Sequence, residues 1–369
     1  MIKLINFYIA KNFLIKFLQV ILGFSLLIFF INLIDILEHM KEGATPIYIS
    51  VAMAFLQIPD FLNDIAPSLV LISSIIGFFS LSSKSEISII RMSGFSLWEV
   101  LRPIAISAFL LGIFWITIFD SLSVMALKKF NYLEGKYTKN ETREVVEPEN
   151  GIWVKQNNLE KPQEEIIIRA QKAYRESAEF GGVTVWLFDN NDGFYKKIDA
   201  KSARMEGKNW ILSDIILNEN DDIINKKLDK LLIPTDLTSD FVMDKIVNNF
   251  QNVKLFSFFE LPNLIDDLSS AGFASTKFKV YFHSLLSRPL LFAAMTSIAC
   301  FFGLNHVRNQ NTVLMLFFGV IIGLGLYITS TIINALGSSG LIPVFASTWI
   351  IVVICLAIGT LLIYRKEHI

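Results

Sequence analysis

Acid, base or metal chemistry needs suitable side chains within reach of one another, and this chain offers few. Its four histidines, His39, His283, His306 and His368, are far apart, and none stands at metal-ligand spacing from another. Both cysteines, Cys300 and Cys355, fall inside apolar runs. Asp221-Asp222 is an acidic pair, but it lies in a polar stretch, where a solvated pair is the ordinary finding. No glycine-rich phosphate loop precedes a helix. Residues 128–275 contain neither His nor Cys, which excludes zinc-type and thiol chemistry there. No catalytic constellation results, so the informative charged residues are those set beside apolar runs.

The most informative short stretch is Ser82 to Trp98, between two such runs. Ser85-Glu86 has the composition of a helix start, with a hydroxyl to accept from an orphan N–H and an acid at the positive end. Ile87, Ile90 and Met92 give a small apolar face, and Gly94 stops the helix. The pattern predicts a short amphipathic helix near residues 84–95, lying along the membrane surface. Two readings follow: a connecting loop resting on lipid, or a knob that fits a groove on a cytoplasmic partner.

The elements that carry this loop follow from composition. Of 369 residues, 53% are hydrophobic, including 32 Phe, and only 18% are charged, against about 25% in ordinary soluble domains. Residues 128–275 hold 20 Lys+Arg and 25 Asp+Glu, while the other 221 residues hold 13 and 9. The chain is thus a lipid-soluble part split in two by a water-soluble insert long enough to bury a core. The net charge of −1 provides no global field for nucleic acid.

About 20 apolar residues cross the hydrocarbon layer as a helix. Six stretches qualify: Phe17 to Ile34, Phe61 to Leu81, Ile104 to Leu127, Val280 to Leu304, Val313 to Leu336 and Ile342 to Tyr364. The first is too long for a signal peptide, and Ile31 to Met40 shows no cleavage pattern. Ile47 to Ile58 is too short to span and reads as an interfacial helix or an outward extension, ended by Pro59. With the N-terminus inside, the inner side holds Lys3, Lys11, Lys16, Lys84, Arg91, Arg102, Arg308, Arg365 and Lys366, and the outer short loops only Lys41. This bias predicts cytoplasmic termini and an external insert.

The insert reads as all-β. Its runs are Ile152 to Val154, Glu165 to Ile168, Val183 to Phe188, Trp210 to Leu217 and Leu231 to Ile233, with turns at Gly181-Gly182, Asn190 to Gly193 and Glu206 to Lys208. A sandwich or open barrel is expected, followed by a helix over Glu260 to Ala271 that leads back to the membrane.

Several of these residues resemble one family along essentially the whole chain. They are Tyr8-Ile-Ala-Lys11, Asp35 and the polar run to Gly43, the Ser85-Glu86…Ser93-Gly94-Phe95 loop, Gly151-Ile-Trp153, Gly182 to Asp189, a turn at Ala200, Trp210-Ile-Leu212 and Arg288-Pro289. The pattern is similar to that of the lipopolysaccharide-export permeases LptF and LptG (the YjgP/YjgQ type), and closer to LptG. The resemblance implies six transmembrane helices (residues 1–127 and 276–369) and an inserted all-β periplasmic domain of β-jellyroll type (residues 128–275). It implies a multi-pass protein of the bacterial inner membrane and a transporter subunit that is not itself an enzyme. The implied partners are the paralogous permease LptF, a dimer of the cytoplasmic ATPase LptB, LptC and lipopolysaccharide. No cofactor is expected on this chain, since ATP and Mg belong to the partner ATPase, and no nucleic acid is expected.

The resemblance also assigns roles. The coupling helix would dock in a groove of the ATPase, with Ser85, Glu86, Ile90, Arg91 and Gly94 as its residues and Glu86 at the family's important acidic position. Arg91 would add a charged contact to the partner or face lipid phosphates. For the glycolipid, the family places Lys residues at the outer end of the first span. Here Asn32 stands at the innermost such position, Glu38 and His39 at others, and only Lys41 is basic. Lys128 and Lys129, at the outer end of the third span, either compensate by binding phosphate or snorkel to the interface.

Overall fold

A computed structural model describes residues 2–39, 46–137, 145–146, 152–157, 165–174, 179–188, 194–206, 209–219, 222–235, 252–270, 275–304 and 312–367. The chain divides into two compact units, Met1–Tyr137 with Phe256–Pro262 and Thr276–Ile369, and Thr138–Leu255 with Asn263–Ser275.

The first unit is helical. It holds α1 (Ile2–His39), α2 (Ile47–Ser83), the short α3 (Glu86–Met92), α4 (Leu97–Phe114), a π turn (Trp115–Phe119) and α5 (Asp120–Tyr137). After the strands come α6 (Leu261–Ser270), most of which belongs to the second unit, and then α7 (Thr276–Gly303), α8 (Thr312–Ser338) and α9 (Val344–Glu367) of the first. Among the described residues six helical stretches are long and apolar enough to cross a membrane, with α4, the π turn and α5 counted as one. Several outrun the hydrocarbon layer: at 1.5 Å per residue the 38 residues of α1 reach about 57 Å.

Residues Ile47 to Ile58 are an extension of the second span and not a separate interfacial helix, because they run without a break into α2. Pro59 does not end them; both Pro59 and Pro67 lie inside the helix. A proline removes one backbone bond, and packed neighbours in a bundle tolerate that loss. The core is shared by α1 (Ile9, Phe13), α2 (Leu69, Leu71, Phe78), α4 (Val100, Ile104), α7 (Phe292, Met295) and α9 (Val352, Cys355). Close approach rests on small residues, as in membrane bundles generally. A methyl at Gly112 would stand 2.5 Å from Pro289 Cα, so α4 and α7 meet at backbone distance there. The most exposed spans are α8 and α1, where 11% and 17% of the apolar window is buried, against 61% for α2 and α7.

The second unit carries an antiparallel sheet of seven strands: β1 (Val145–Val146), β2 (Ile152–Asn157), β3 (Glu165–Tyr174), β4 (Glu179–Phe188), β5 (Phe194–Glu206), β6 (Asn209–Glu219) and β7 (Asp222–Pro234). β3 to β7 follow one another as a meander, and β1 and β2 both pair with β3. This accords with the all-β, jellyroll-type expectation. One face is buried in rows that cross the strands: Ala170, Val183, Ala200 and Ile215, then Ala173, Phe180, Ala203 and Leu212. Phe180 and Trp210 extend it, with ring centroids 5.0 Å apart. The other face is polar: Thr184 Oγ1 donates to Asp199 Oδ1 at 2.8 Å, and Lys197 pairs with Asp199 at 2.7 Å.

The buried residues of β3 to β6 are spaced by three, not two, at one transverse line. The row Gln171, Gly182, Lys201, Asp214 and Asp229 is skipped by the ladder on that line. Two of its members are left-handed, Gly182 at φ +62° and Asp214 at φ +53°. The sheet is therefore creased across five strands, β3 to β7. Gly181-Gly182, expected as a turn, is part of this crease inside β4. A side chain at Gly182 would also meet that of Gln171 within 2.7 Å.

Candidate functional site

Two polar constructions stand out in the helical unit, one at α3 and one buried between α2, α4–α5 and α7. α3 has only seven residues and is set off by left-handed residues on both sides, Ser85 at φ +58° and Gly94 at φ +90°. The chain therefore turns sharply into and out of it. The expected Ser85 side-chain cap does not form. Its backbone carbonyl accepts from Ile89 N at 3.1 Å, while its left-handed backbone is unlike the extended conformation of a capping residue. Glu86 is the first helical residue, suited to the positive helix end. Its Oε1 accepts from Tyr8 Oη at 3.1 Å, and its Oε2 has no hydrogen-bond partner among the described residues.

The faces of α3 differ from the expected set. Ile87 is buried and Ile90 packs against the helical core. Met92, expected on that same face, is 80% exposed, and Ile89 is 58% exposed. Three positions apart, these two share the outward face of the helix. Arg91 is exposed as well, and Gly94 supplies the positive φ that ends the helix. The next helix starts with a full capping box: Glu99 N donates to Ser96 Oγ at 3.3 Å, and Ser96 N donates to Glu99 Oε2 at 2.9 Å.

The second construction centres on Asn63 of α2. Its Oδ1 accepts from Trp115 Nε1 at 2.9 Å and from Arg288 Nη1, and its Nδ2 donates to Asp120 Oδ1 at 3.1 Å. Asp120 Oδ2 accepts from Phe258 N at 3.0 Å. Asn63, Trp115 and Asp120 are buried, and Arg288 is half-buried. One amide thus links an acid and a base from different helices, at the π turn beside the Gly112–Pro289 contact. Trp115 stacks on Phe119 at 3.9 Å, which fixes the π turn from within. Charged groups inside a membrane bundle are costly unless partnered, and here the side-chain amide partners both.

These helices, this loop and this insert agree with one comparison. The sequence matches the lipopolysaccharide export system permease LptF/LptG over residues 7–365, nearly the whole chain. The chain belongs to the LptF/LptG permease family. No curated protein matches it. Family membership makes it a component of lipopolysaccharide export and a transporter subunit, not a catalytic enzyme. With its six apolar helices, that makes it a multi-pass inner-membrane protein working in a complex.

The positions that the LptF/LptG resemblance assigns to the glycolipid lie apart in kind. Asn32 is 5% exposed within the helical unit, and its Nδ2 has no hydrogen-bond partner among the described residues. Lys41 lies outside the described residues. Lys128 is half-exposed and pairs with Glu260 at 3.7 Å, and Lys129 lies 5.3 Å over the Tyr132 ring. Sequence reasoning missed Asn63, Trp115 and Asp120 as a group, and quoted Arg288 only as part of a motif. The available signal was Asp120, an acid inside an otherwise apolar span. Among the described residues no cluster of three or more His, Cys, Asp or Glu could hold a metal ion.

Proposed function

We propose that this chain is the permease subunit of an ATP-driven ABC transporter, closer to LptG than to LptF, that draws lipopolysaccharide out of the inner membrane and passes it toward a periplasmic bridge. In this reading the termini and α3 are cytoplasmic and the sheet unit is periplasmic, as the Lys/Arg bias requires. A dimer of the ATPase LptB docks on α3 and carries the ATP and Mg, while this chain binds no cofactor. The paralogue LptF and the single-span LptC complete the assembly. The exposed apolar faces of α1 and α8, the two least buried spans, suit contact with the second permease or with the lipid.

The observation that carries the reading is the outward face of α3. A helix of seven residues, set between two left-handed turns, presents Ile89 and Met92 to solvent, with Glu86 at its first position. An exposed apolar pair on a rigid projection is a docking feature. The energetics require a motor. Each CH₂ taken from lipid into water costs about 0.8 kcal/mol, so a multi-chain glycolipid costs tens of kcal/mol to lift. The face of the sheet that carries Val183, Phe180 and Leu212 is apolar, the chemistry acyl chains need, and it is covered within the chain itself, so lipid would have to displace that cover. Trp186 belongs to the polar face, opposite Lys197, and is not on that path.

The test is Glu86→Ala in the full complex. We expect at least about a tenfold loss of co-purifying ATPase, the scale of one charged hydrogen bond lost at an interface. Unchanged recovery of ATPase together with unchanged lipopolysaccharide release would refute the assignment.

A further inference from the structure

We propose that Tyr8 and the Lys366–Glu367 pair are positioning residues that tie the docking helix α3 to the first and last spans. Movement of α3 would then reach helices to which it has no direct chain link. The proposal rests on the reading of α3 as the ATPase dock. By chain connection α3 pulls only on α2 and α4. Side chains supply the other links. Tyr8, on α1, donates to Glu86 at the entry to α3. At the exit, Leu97 N–H, the first amide of α4, donates to Glu367 Oε2 on α9 at 3.0 Å. The neighbouring Lys366 donates to Phe301 O, near the end of α7, at 2.8 Å, and lies 5.2 Å over the Phe301 ring.

The charges match what they grip. An acid sits on the amide-rich start of α4 and a base on the carbonyl-rich end of α7, as the helix dipoles favour. These two opposite charges are adjacent in sequence at the end of one helix, so α9 holds α4 and α7 together. A local cap would suffice for stability, and Ser96 with Glu99 already provides one. The bond to Glu367 comes from 270 residues away and adds connection, not simple capping. The docking helix is thus held on its entry side by α1 and on its exit side by α9.

The experiment uses the complete exporter in nanodiscs containing lipopolysaccharide, with Tyr8→Phe, Glu367→Ala and the double variant. Two readouts are taken: lipopolysaccharide-stimulated over basal ATP hydrolysis, and the mobility of a nitroxide at Ser83→Cys, an exposed position at the end of α2 where the chain enters α3. We expect ATPase recovery and basal hydrolysis to stay as they are. We expect the stimulation ratio to fall about threefold for each single variant and further for the double, the scale of one hydrogen bond to a charged group at a partly exposed site. We also expect the nitroxide to become more mobile. A structural role alone would lower thermal stability without moving this ratio. Tyr8→Phe removes a single exposed oxygen and keeps the test valid if Glu367→Ala fails to accumulate. An unchanged ratio and an unchanged nitroxide spectrum would overturn the proposal. Failure of the unmodified chain to retain ATPase would instead overturn the functional reading, and this inference with it.

Discussion

The Asn63 cluster and α3 are both built around a carboxylate, yet they treat it in opposite ways. Asp120 is fully buried, with a donor on each oxygen: Asn63 Nδ2 on one and Phe258 N on the other. Glu86 has one oxygen held by Tyr8 and one that is buried without a hydrogen-bond partner among the described residues, on a helix whose Ile89 and Met92 face solvent. A carboxylate whose needs are met inside the chain fixes the chain's own helices. One whose second oxygen is buried and unpartnered is left unsatisfied by the chain's own helices. The contrast separates a polar group that holds the fold from one that the fold leaves unsatisfied, although both sit in a largely apolar protein.

Three substitutions sharpen this contrast. The largest effect is expected at the cluster. Asn63→Leu keeps the volume but strips a buried partner from both Asp120 and Arg288, and should lower stability by about 3 kcal/mol. Thermal unfolding in detergent, followed by size-exclusion recovery, measures it; a variant as stable as the parent would mean the cluster is not structural. Next comes Ile87→Asp on the inner face of α3, which places a charge against the core and should cost about 2 kcal/mol. The smallest effect on stability is expected from Ile89→Asp on the outer face, within about 0.5 kcal/mol, as for surface sites generally. ATPase binding should nevertheless fall with Ile89→Asp. Equal stability losses at Ile87 and Ile89 would erase the distinction between the two faces of α3.

Much of this was legible in the sequence, and the gaps have physical causes. Runs of about 20 apolar residues locate the six spans because hydropathy alone decides membrane insertion. Pro59 misleads because its local penalty is outweighed by packing along a long helix. In the sheet, β5 escapes notice and Ala200, expected at a turn, lies in mid-strand opposite Val183, because the inward residues Ala200 and Ala203 give little apolar signal. Gly181-Gly182 reads as a turn because a left-handed glycine serves both turns and creases, and only the strand register tells them apart. Glu86 and Gly94 were identifiable from one contiguous stretch. The outward place of Met92 was not, since the phase of a seven-residue helix is set by what it packs on. The Asn63 cluster joins residues 63, 115, 120 and 288, and the ties of Tyr8 and Glu367 to the α3 region are equally non-local. No local pattern can announce such contacts.

The central claim is that α3 hands an outward apolar face to a nucleotide-hydrolysing partner. A photo-crosslinking residue placed at Met92 in living cells tests it most directly, with the same residue at Ile87 as the inward control. The account predicts a covalent adduct between Met92 and a cytoplasmic ATPase, and none from Ile87. An adduct of Met92 with lipid alone, or labelling of the ATPase from both positions equally, would contradict it.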